Sequence, residues 1–386
     1  MRIFIATDVT VFQYGDKVYA QEKHATIFKR YFEAFGKIVL CVRIKAIDTL
    51  SKGYIDITQI LDNVVIIGSL SGMLLGKYNS KMQQEIQNCD LVVARCPSIA
   101  AYRSADFTRK YHKPYLAESM GCAWDAYWNH GLSGKLLAGY MFMKMKSVVK
   151  NADYALYVTE KFLQNRYPCK NDSVAASNVL ISALDDSVLS ARLERIKDES
   201  IRNVSLMTTA AVDVKYKGQE YVIRAIKELN KLGIRVKYRI VGEGSQDYLK
   251  KVAEKCGVLD QVDFVGRIPL AEVLELIDQS DLYIQPSLQE GLPRSVIEAM
   301  SRGCACIGAK TAGIPELLED EFVVKRKSVT DIVSVVNKYC NMNADERIRI
   351  SKRNFAEAGK YIVDVLNKRR NDYYVKIVVE IGEKNA

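Results

Sequence analysis

Short apolar runs alternate with longer amphipathic stretches along most of the chain. In the first half, runs of strand length fall at Arg2–Ala6, Ile38–Arg43, Val64–Ile67, Leu91–Ala94, Pro114–Ala117 and Tyr154–Val158. Helix-period stretches such as Tyr19–Phe35 and Lys77–Asn88 lie between them. The second half repeats the rhythm. Val204–Thr208, Val236–Val241, Val262–Val265, Leu282–Gln285, Cys306–Ala309 and Phe322–Val324 read as strands. Helices intervene at Glu220–Leu232, Gln246–Cys256, Leu270–Gln279 and Arg294–Ser301. Strand–helix alternation with short connections predicts an α/β protein, with parallel sheets covered by helices on both faces.

The alternation breaks between Tyr167 and Arg202, a polar stretch holding Lys170-Asn171-Asp172-Ser173 and Leu184-Asp185-Asp186-Ser187. The boundary is placed there. Residues 1–180 form one Rossmann-like domain and 181–360 a second, and 361–386 form a helical segment that packs back on the first. Two such domains leave a central cleft, where the carboxyl ends of strands and the N-termini of helices can face a ligand.

At 386 residues, two domains are also what length alone implies. Hydrophobic residues at 48% and charged residues at 26% exclude disordered, collagenous and low-complexity classes. The 56 Lys and Arg exceed the 46 Asp and Glu by 10, which favours an anionic partner: nucleic acid, acidic lipid or a phosphorylated small molecule. The opening MRIFIATDV lacks the basic and long apolar regions of a secretion signal. The nine cysteines are odd in number and scattered, often inside apolar runs. They read as reduced core thiols of a cytoplasmic protein, without a zinc site.

The chemistry concentrates in Ser280–Leu318. A strand runs into Pro286-Ser287, a loop carries Glu290-Gly291, and a helix starts near Pro293. Free N–H groups and the positive dipole end at a helix start suit a phosphate, and Gly291 allows close backbone approach. Carboxylates beside such a cradle make sense as acceptors of ligand hydroxyls. Glu290 and Glu298, eight residues apart, therefore point to a sugar and a ribose on either side of a diphosphate.

This segment resembles the Glu-x7-Glu signature of retaining glycosyltransferases of the GT-B architecture, family 4, the "group 1" transferases. Other stretches match the family in the right order. They are Lys217-Gly218 at a helix start, Val241-Gly242-Glu243-Gly244 after a strand, and Val262–Gly266 followed by Arg267-Ile268. Ser280-Asp281 and Gly313-Ile314-Pro315-Glu316 complete the set. The resemblance is strong over about Val204–Leu318 and weak in the first half. It implies two Rossmann-like parallel-sheet domains facing a central cleft. It also implies a metal-independent, retaining hexosyl transfer from a nucleoside-diphosphate sugar, UDP- or GDP-linked, with no further cofactor.

By the same resemblance, Glu290 holds donor-sugar hydroxyls, with Gly291 and Leu292 presenting amides, and Glu298 holds the ribose. Gly242, Arg267 and Ile268 line the nucleotide, and Lys217 pairs with the diphosphate and stabilises the leaving group. The family's Arg five residues before this lysine is Val212 here, and Lys215 is the candidate replacement. In the first half, Gly15 in the opening loop Thr10–Asp16 stands where the family places glycines near the donor phosphates. Arg95, Glu118, Asp125 and His130 follow strand ends and are candidates to orient the acceptor; Asp125 and His130 are candidates to take its proton.

The pattern around Trp124–His130 looks like a subgroup that builds bacterial surface polysaccharides, with a glycan or lipid-linked oligosaccharide as acceptor. Leu136–Lys150 mixes large apolar residues with Lys144, Lys146 and Lys150 and contains no acid. It reads either as a buried helix with snorkelling lysines or as a surface resting on an anionic membrane at the inner face. Two rivals share the sequence evidence: a nucleotide-sugar 2-epimerase on the same architecture, and a basic nucleic-acid-binding protein. Positive charge spread without a dense tract or recognised motif argues against nucleic acid.

Overall fold

A computed structural model gives the structure of residues 1–385, apart from Ser51, Leu70, Ser71, Leu74, His130, Leu180, Asp198 and Glu199. The chain divides into two compact units: Met1–Ala176 with Asn367–Ala386, and Ser177–Leu366.

Among the described residues the first unit holds nine strands: β1 (Arg2–Tyr14), β2 (Lys17–Gln21), β3 (Lys37–Ala46), β4 (Tyr54–Asp56), β5 (Leu61–Ile66), β6 (Leu91–Cys96), β7 (Tyr115–Ser119), β8 (Tyr154–Tyr157) and β9 (Asp172–Ala175). Its parallel part runs β5-β3-β1-β6-β7-β8-β9. Every residue of β6 and β7 is buried, as a parallel strand covered on both faces requires. Successive β1 residues feed opposite layers. Phe4 and Ala6 pack with Met82 and Met145, whereas Ile3 and Ile5 pack with Phe28, Tyr31 and Phe35. The helix Val363–Asn385 completes the second layer with Tyr373, Tyr374, Ile377 and Ile381.

Two expectations fail in this unit. Thr10–Asp16 is not a loop, and the first helix does not start at Tyr19. Instead β1 continues to Tyr14, turns at Gly15-Asp16 and returns as β2, with Tyr14 opposite Lys17. Gly15 sits exposed in the turn at φ 58°, the left-handed backbone that a two-residue hairpin turn needs. The helix starts only at Glu22. Phe12 stacks on Tyr54 at 4.5 Å, so the hairpin has its own packing. The polar stretch Tyr167–Arg202 is also more ordered than its composition implies. It contains edge strand β9 and the helix Asp186–Glu194, and the units divide after Ala176.

The second unit holds β10 (Asn203–Thr209), β11 (Arg235–Val241), β12 (Val262–Gly266), β13 (Leu282–Gln285), β14 (Ala305–Ala309) and β15 (Val323–Val324). They form a parallel sheet in the order β12-β11-β10-β13-β14-β15. The chain steps outward from β10 to β12, then crosses back to lay β13 on the other side of β10. That reversal leaves a crevice outside the carboxyl ends of β10 and β13, where open α/β sheets bind ligands.

Candidate active site

Around that crevice the loops approach closely. A Cβ on Gly242, just after β11, would lie 2.0 Å from the carbonyl oxygen of Ala210, just after β10. Only glycine permits this approach. The Gly242 amide also donates to Gly266 O at 2.9 Å, tying the ends of β11 and β12 together. Gly218 has φ 78°, and a Cβ there would stand 2.3 Å from Pro286 O, after β13. Gly218 immediately precedes the helix Gln219–Lys231, so its fit sets that helix start against the β13 loop.

Lys217 lies on the turn before Gly218, and its Nζ is 2.7 Å from Glu290 Oε1. The two side chains are 23% and 12% exposed, so solvent screens this pair only in part. Gln285, the last residue of β13, donates its amide to the same Oε1 at 3.1 Å and to Ser287 Oγ at 2.8 Å. Its own Oε1 accepts from Tyr283 and Ser295 hydroxyls at 3.0 and 3.2 Å. Gln285 thus fixes the Glu290 carboxylate from below. Sequence reading placed it in the strand and gave it no role; its position at a strand's carboxyl end was the available signal.

Glu298 is the fifth residue of the helix Arg294–Ser301. Burial raises its pKa above the ordinary 4.5, and Arg294 offsets part of the rise. Gly291 and Leu292 lie between Glu290 and this helix start, and the Gly291 carbonyl accepts from Gly313 N at 2.9 Å. The other expected nucleotide residues are placed differently. Lys215 Nζ lies 4.6 Å from the Tyr248 ring centroid, a cation–π contact, and Val212 is packed into the core. Arg267 reaches Glu243 at 3.1 Å with both side chains open to water, a weak pair, and Ile268 is half-buried against the core.

In the first unit, Arg95 on β6 and Glu118 on β7 are register neighbours. Arg95 Nε lies 2.5 Å from Glu118 Oε2, which also accepts from Tyr31 OH at 2.6 Å. Each charged side chain is 2% exposed. The expectation that these two face the acceptor is therefore corrected. A carboxylate and a guanidinium removed from water need each other, and their charges are turned inward. Burial alone would lower the Arg95 pKa, but Glu118 and Tyr31 together more than reverse this. Burial and Glu118 push the Tyr31 phenol well up. His24 is pushed down to about 4 by burial, Lys23 and Arg95, so it is neutral near pH 7. Asp125 is buried in the short helix Ala123–Trp128, and His130 lies outside the described residues.

Asp8 is a residue the sequence reading passed over. It sits where the β1–β3 register breaks between Ala6 and Thr10. The Ser98 hydroxyl and the amides of Ile99 and Ala100, at the start of the helix Ile99–Lys110, favour its charged form. Burial nevertheless raises its pKa, against those groups and Arg43. The chain's own carboxylate thus occupies an anion-favouring helix end.

Residues 193–360, which include Lys217, Glu290 and Glu298, match the family model described as Glycosyl transferases group 1. Over this stretch the chain resembles the group 1 glycosyltransferases. The chain is 28% identical to protein CapJ of Staphylococcus aureus over 390 positions, 98% of this chain and 97% of that one. A putative colanic acid biosynthesis glycosyltransferase, WcaL of Escherichia coli K12, is 28% identical over 147 residues, 36% of each chain. The structure of Anabaena HepE in complex with UDP superposes with a TM-score of 0.65. That likeness covers 97% of this chain and 99% of HepE at 15% identity, and it speaks for the fold. A 2-epimerase is not favoured by these likenesses. Among the described residues, no helix of the chain is long and apolar enough to cross a membrane. No group of three or more His, Cys, Asp or Glu among them is placed to hold a metal ion. All nine cysteines are free thiols.

Proposed function

We propose that this chain carries out metal-independent, retaining transfer of a hexose from a UDP- or GDP-linked sugar. The acceptor is a hydroxyl on a glycan or lipid-linked oligosaccharide, in the assembly of a surface polysaccharide at the inner face of the cytoplasmic membrane. The observation that carries the reading is the Lys217–Glu290 pair beside the switch point of the second sheet, with Glu298 one helical turn into the following helix.

The donor diphosphate lies against Lys217 and the start of the helix Gln219–Lys231, where cation and dipole both favour negative charge. The Glu290 carboxylate, oriented by Gln285, accepts sugar hydroxyls. Glu298 accepts ribose hydroxyls. The bond from the anomeric carbon to the diphosphate oxygen breaks as the acceptor oxygen bonds on the same face. The acceptor proton passes to the departing phosphate oxygen. Lys217 stabilises the charge that grows on the diphosphate, which is where preorganised cations contribute most. This scheme needs no strong protein base.

A thermal-shift panel of UDP- and GDP-sugars tests the reading. One donor is expected to raise the melting temperature, and Glu298→Ala is expected to abolish that rise. A stabilising donor whose effect survives Glu298→Ala would refute the assignment.

Glu298 also gives the site a pH dependence. Its folded-state pKa is raised, so the buried charge costs stability at neutral pH, and that cost is relieved as pH falls through the raised value. Ribose binding needs the charged form. Calorimetric nucleotide affinity is therefore expected to weaken on acidification from a higher pH than an ordinary carboxylate would show. Glu298→Gln should remove that component.

A further inference from the structure

The helix Gly131–Lys150 is apolar on two opposite faces. Gly134, Ala138, Met141, Met145, Val148 and Val149 face the protein. On the other side Leu132, Leu136, Tyr140 and Met143 stand 82%, 87%, 56% and 62% exposed. Their spacing of four, four and three residues puts them in one stripe along the helix. A water-facing stripe of this kind marks an interaction surface.

The borders of the stripe say what covers it. By helical angle, Lys135 and Lys146 flank it on one side and Lys144 on the other, while Lys150 closes its end. Lys144 reaches Asp106 at 3.2 Å, but Lys135, Lys146 and Lys150 are exposed. The helix itself carries no Asp or Glu. Trp128, 43% exposed, stacks on Trp124 and has Lys135 Nζ 5.6 Å from its ring centroid. The edge of the stripe is thus aromatic and cationic, the composition that rests at a lipid–water interface. A second copy of the chain fits less well, because two-fold pairing of this face would bring lysines against lysines.

We infer that this chain docks on an anionic bilayer surface through the stripe Leu132, Leu136, Tyr140 and Met143. The apolar side chains enter the headgroup boundary while Lys135 and Lys146 meet acidic headgroups. The inference deepens the membrane placement proposed above, and it rests on that reading for the location only, not for the chemistry.

The test is cosedimentation of the full chain with vesicles of phosphatidylglycerol and phosphatidylcholine, and with phosphatidylcholine alone. Binding to the anionic vesicles at low salt, weakening as salt rises, is expected. Leu132→Ser/Leu136→Ser/Met143→Ser is expected to weaken binding more than about tenfold, since each change withdraws apolar area from the lipid. Lys135→Gln/Lys146→Gln is expected to weaken binding to anionic vesicles only, by about fivefold per lysine. Unliganded melting temperatures should not change, because these side chains face solvent. Three results would overturn the inference. They are no wild-type binding at low salt, undiminished binding by the serine variant, and a wild-type dimer that the serine variant dissolves without vesicle binding. Vesicle binding combined with failure of every nucleotide sugar to stabilise the chain would defeat the transfer reading and leave the docking surface standing.

Discussion

Lys217→Met is expected to lower kcat for sugar transfer by about 10²–10³-fold, the usual cost of removing one preorganised group that stabilises developing charge. The expectation follows from where the charge goes. The Lys217 ammonium is held 2.7 Å from Glu290. As the diphosphate departs it gains negative charge, and a cation already fixed beside it needs little reorganisation. Methionine keeps the length of the side chain and removes the charge. Gln285 still holds the Glu290 carboxylate at 3.1 Å, so the loop keeps one of its two tethers. Release of nucleoside diphosphate from the donor chosen by the thermal-shift panel measures the effect, with the melting temperature as a check on folding. Activity within threefold of wild type in a folded Lys217→Met variant would remove Lys217 from the mechanism. Lys217→Arg should recover part of the rate, because charge is restored with different geometry.

Glu118→Ala is expected to destabilise the first unit by about 3–5 kcal/mol, because it strands a buried guanidinium. Arg95 is 2% exposed, so water cannot compensate, and among the described residues its Nη1 already has no hydrogen-bond partner. Tyr31 loses its acceptor as well. In a unit of this size the loss corresponds to a fall in melting temperature of roughly 6–20 °C. Removing both charges with Arg95→Met/Glu118→Leu should recover most of it, since a buried ion pair is often replaceable by apolar groups of similar volume. A single variant as stable as wild type would show that the pair is not buried as described. The contrast also separates packing from catalysis: a purely structural pair lets the double variant keep its turnover.

What the sequence made legible was what depends on local pattern. The strands of both parallel sheets are short apolar runs because they are covered on both faces, and helix formers separate them. Glu290 and Glu298 stood out as two carboxylates flanking a helix start, and the resemblance to the group 1 transferases added Lys217 and gave all three their roles. The hairpin of β1 and β2 did not stand out. Residues Thr10–Tyr14 and Lys17–Gln21 alternate weakly, and the Gly15-Asp16 turn reads equally well as part of a loop. The fate of Arg95 and Glu118 was not legible either. A charged residue near a strand end has the same sequence signature whether it lines a cleft or pairs across the sheet. Only the β6–β7 register decides, and register is a long-range property. Gln285 was marked only by its place at a strand's carboxyl end, because its bonds to Tyr283, Ser287, Glu290 and Ser295 depend on how the following loop folds back, and Asp8 meets groups some ninety residues away.

The last helix has a consequence for how the protein comes into being. Tyr373, Tyr374, Ile377 and Ile381 close the layer begun by Ile3, Ile5, Phe28, Tyr31 and Phe35, and Arg370 reaches the carbonyl of Ala176. A ribosome making the chain releases the first 176 residues long before it makes that closing piece. The second unit, contiguous from Ser177 to Leu366, can finish folding while the first still waits with an uncovered apolar layer. The order of synthesis is then the reverse of the order of completion, and the first-made unit is the last to become whole.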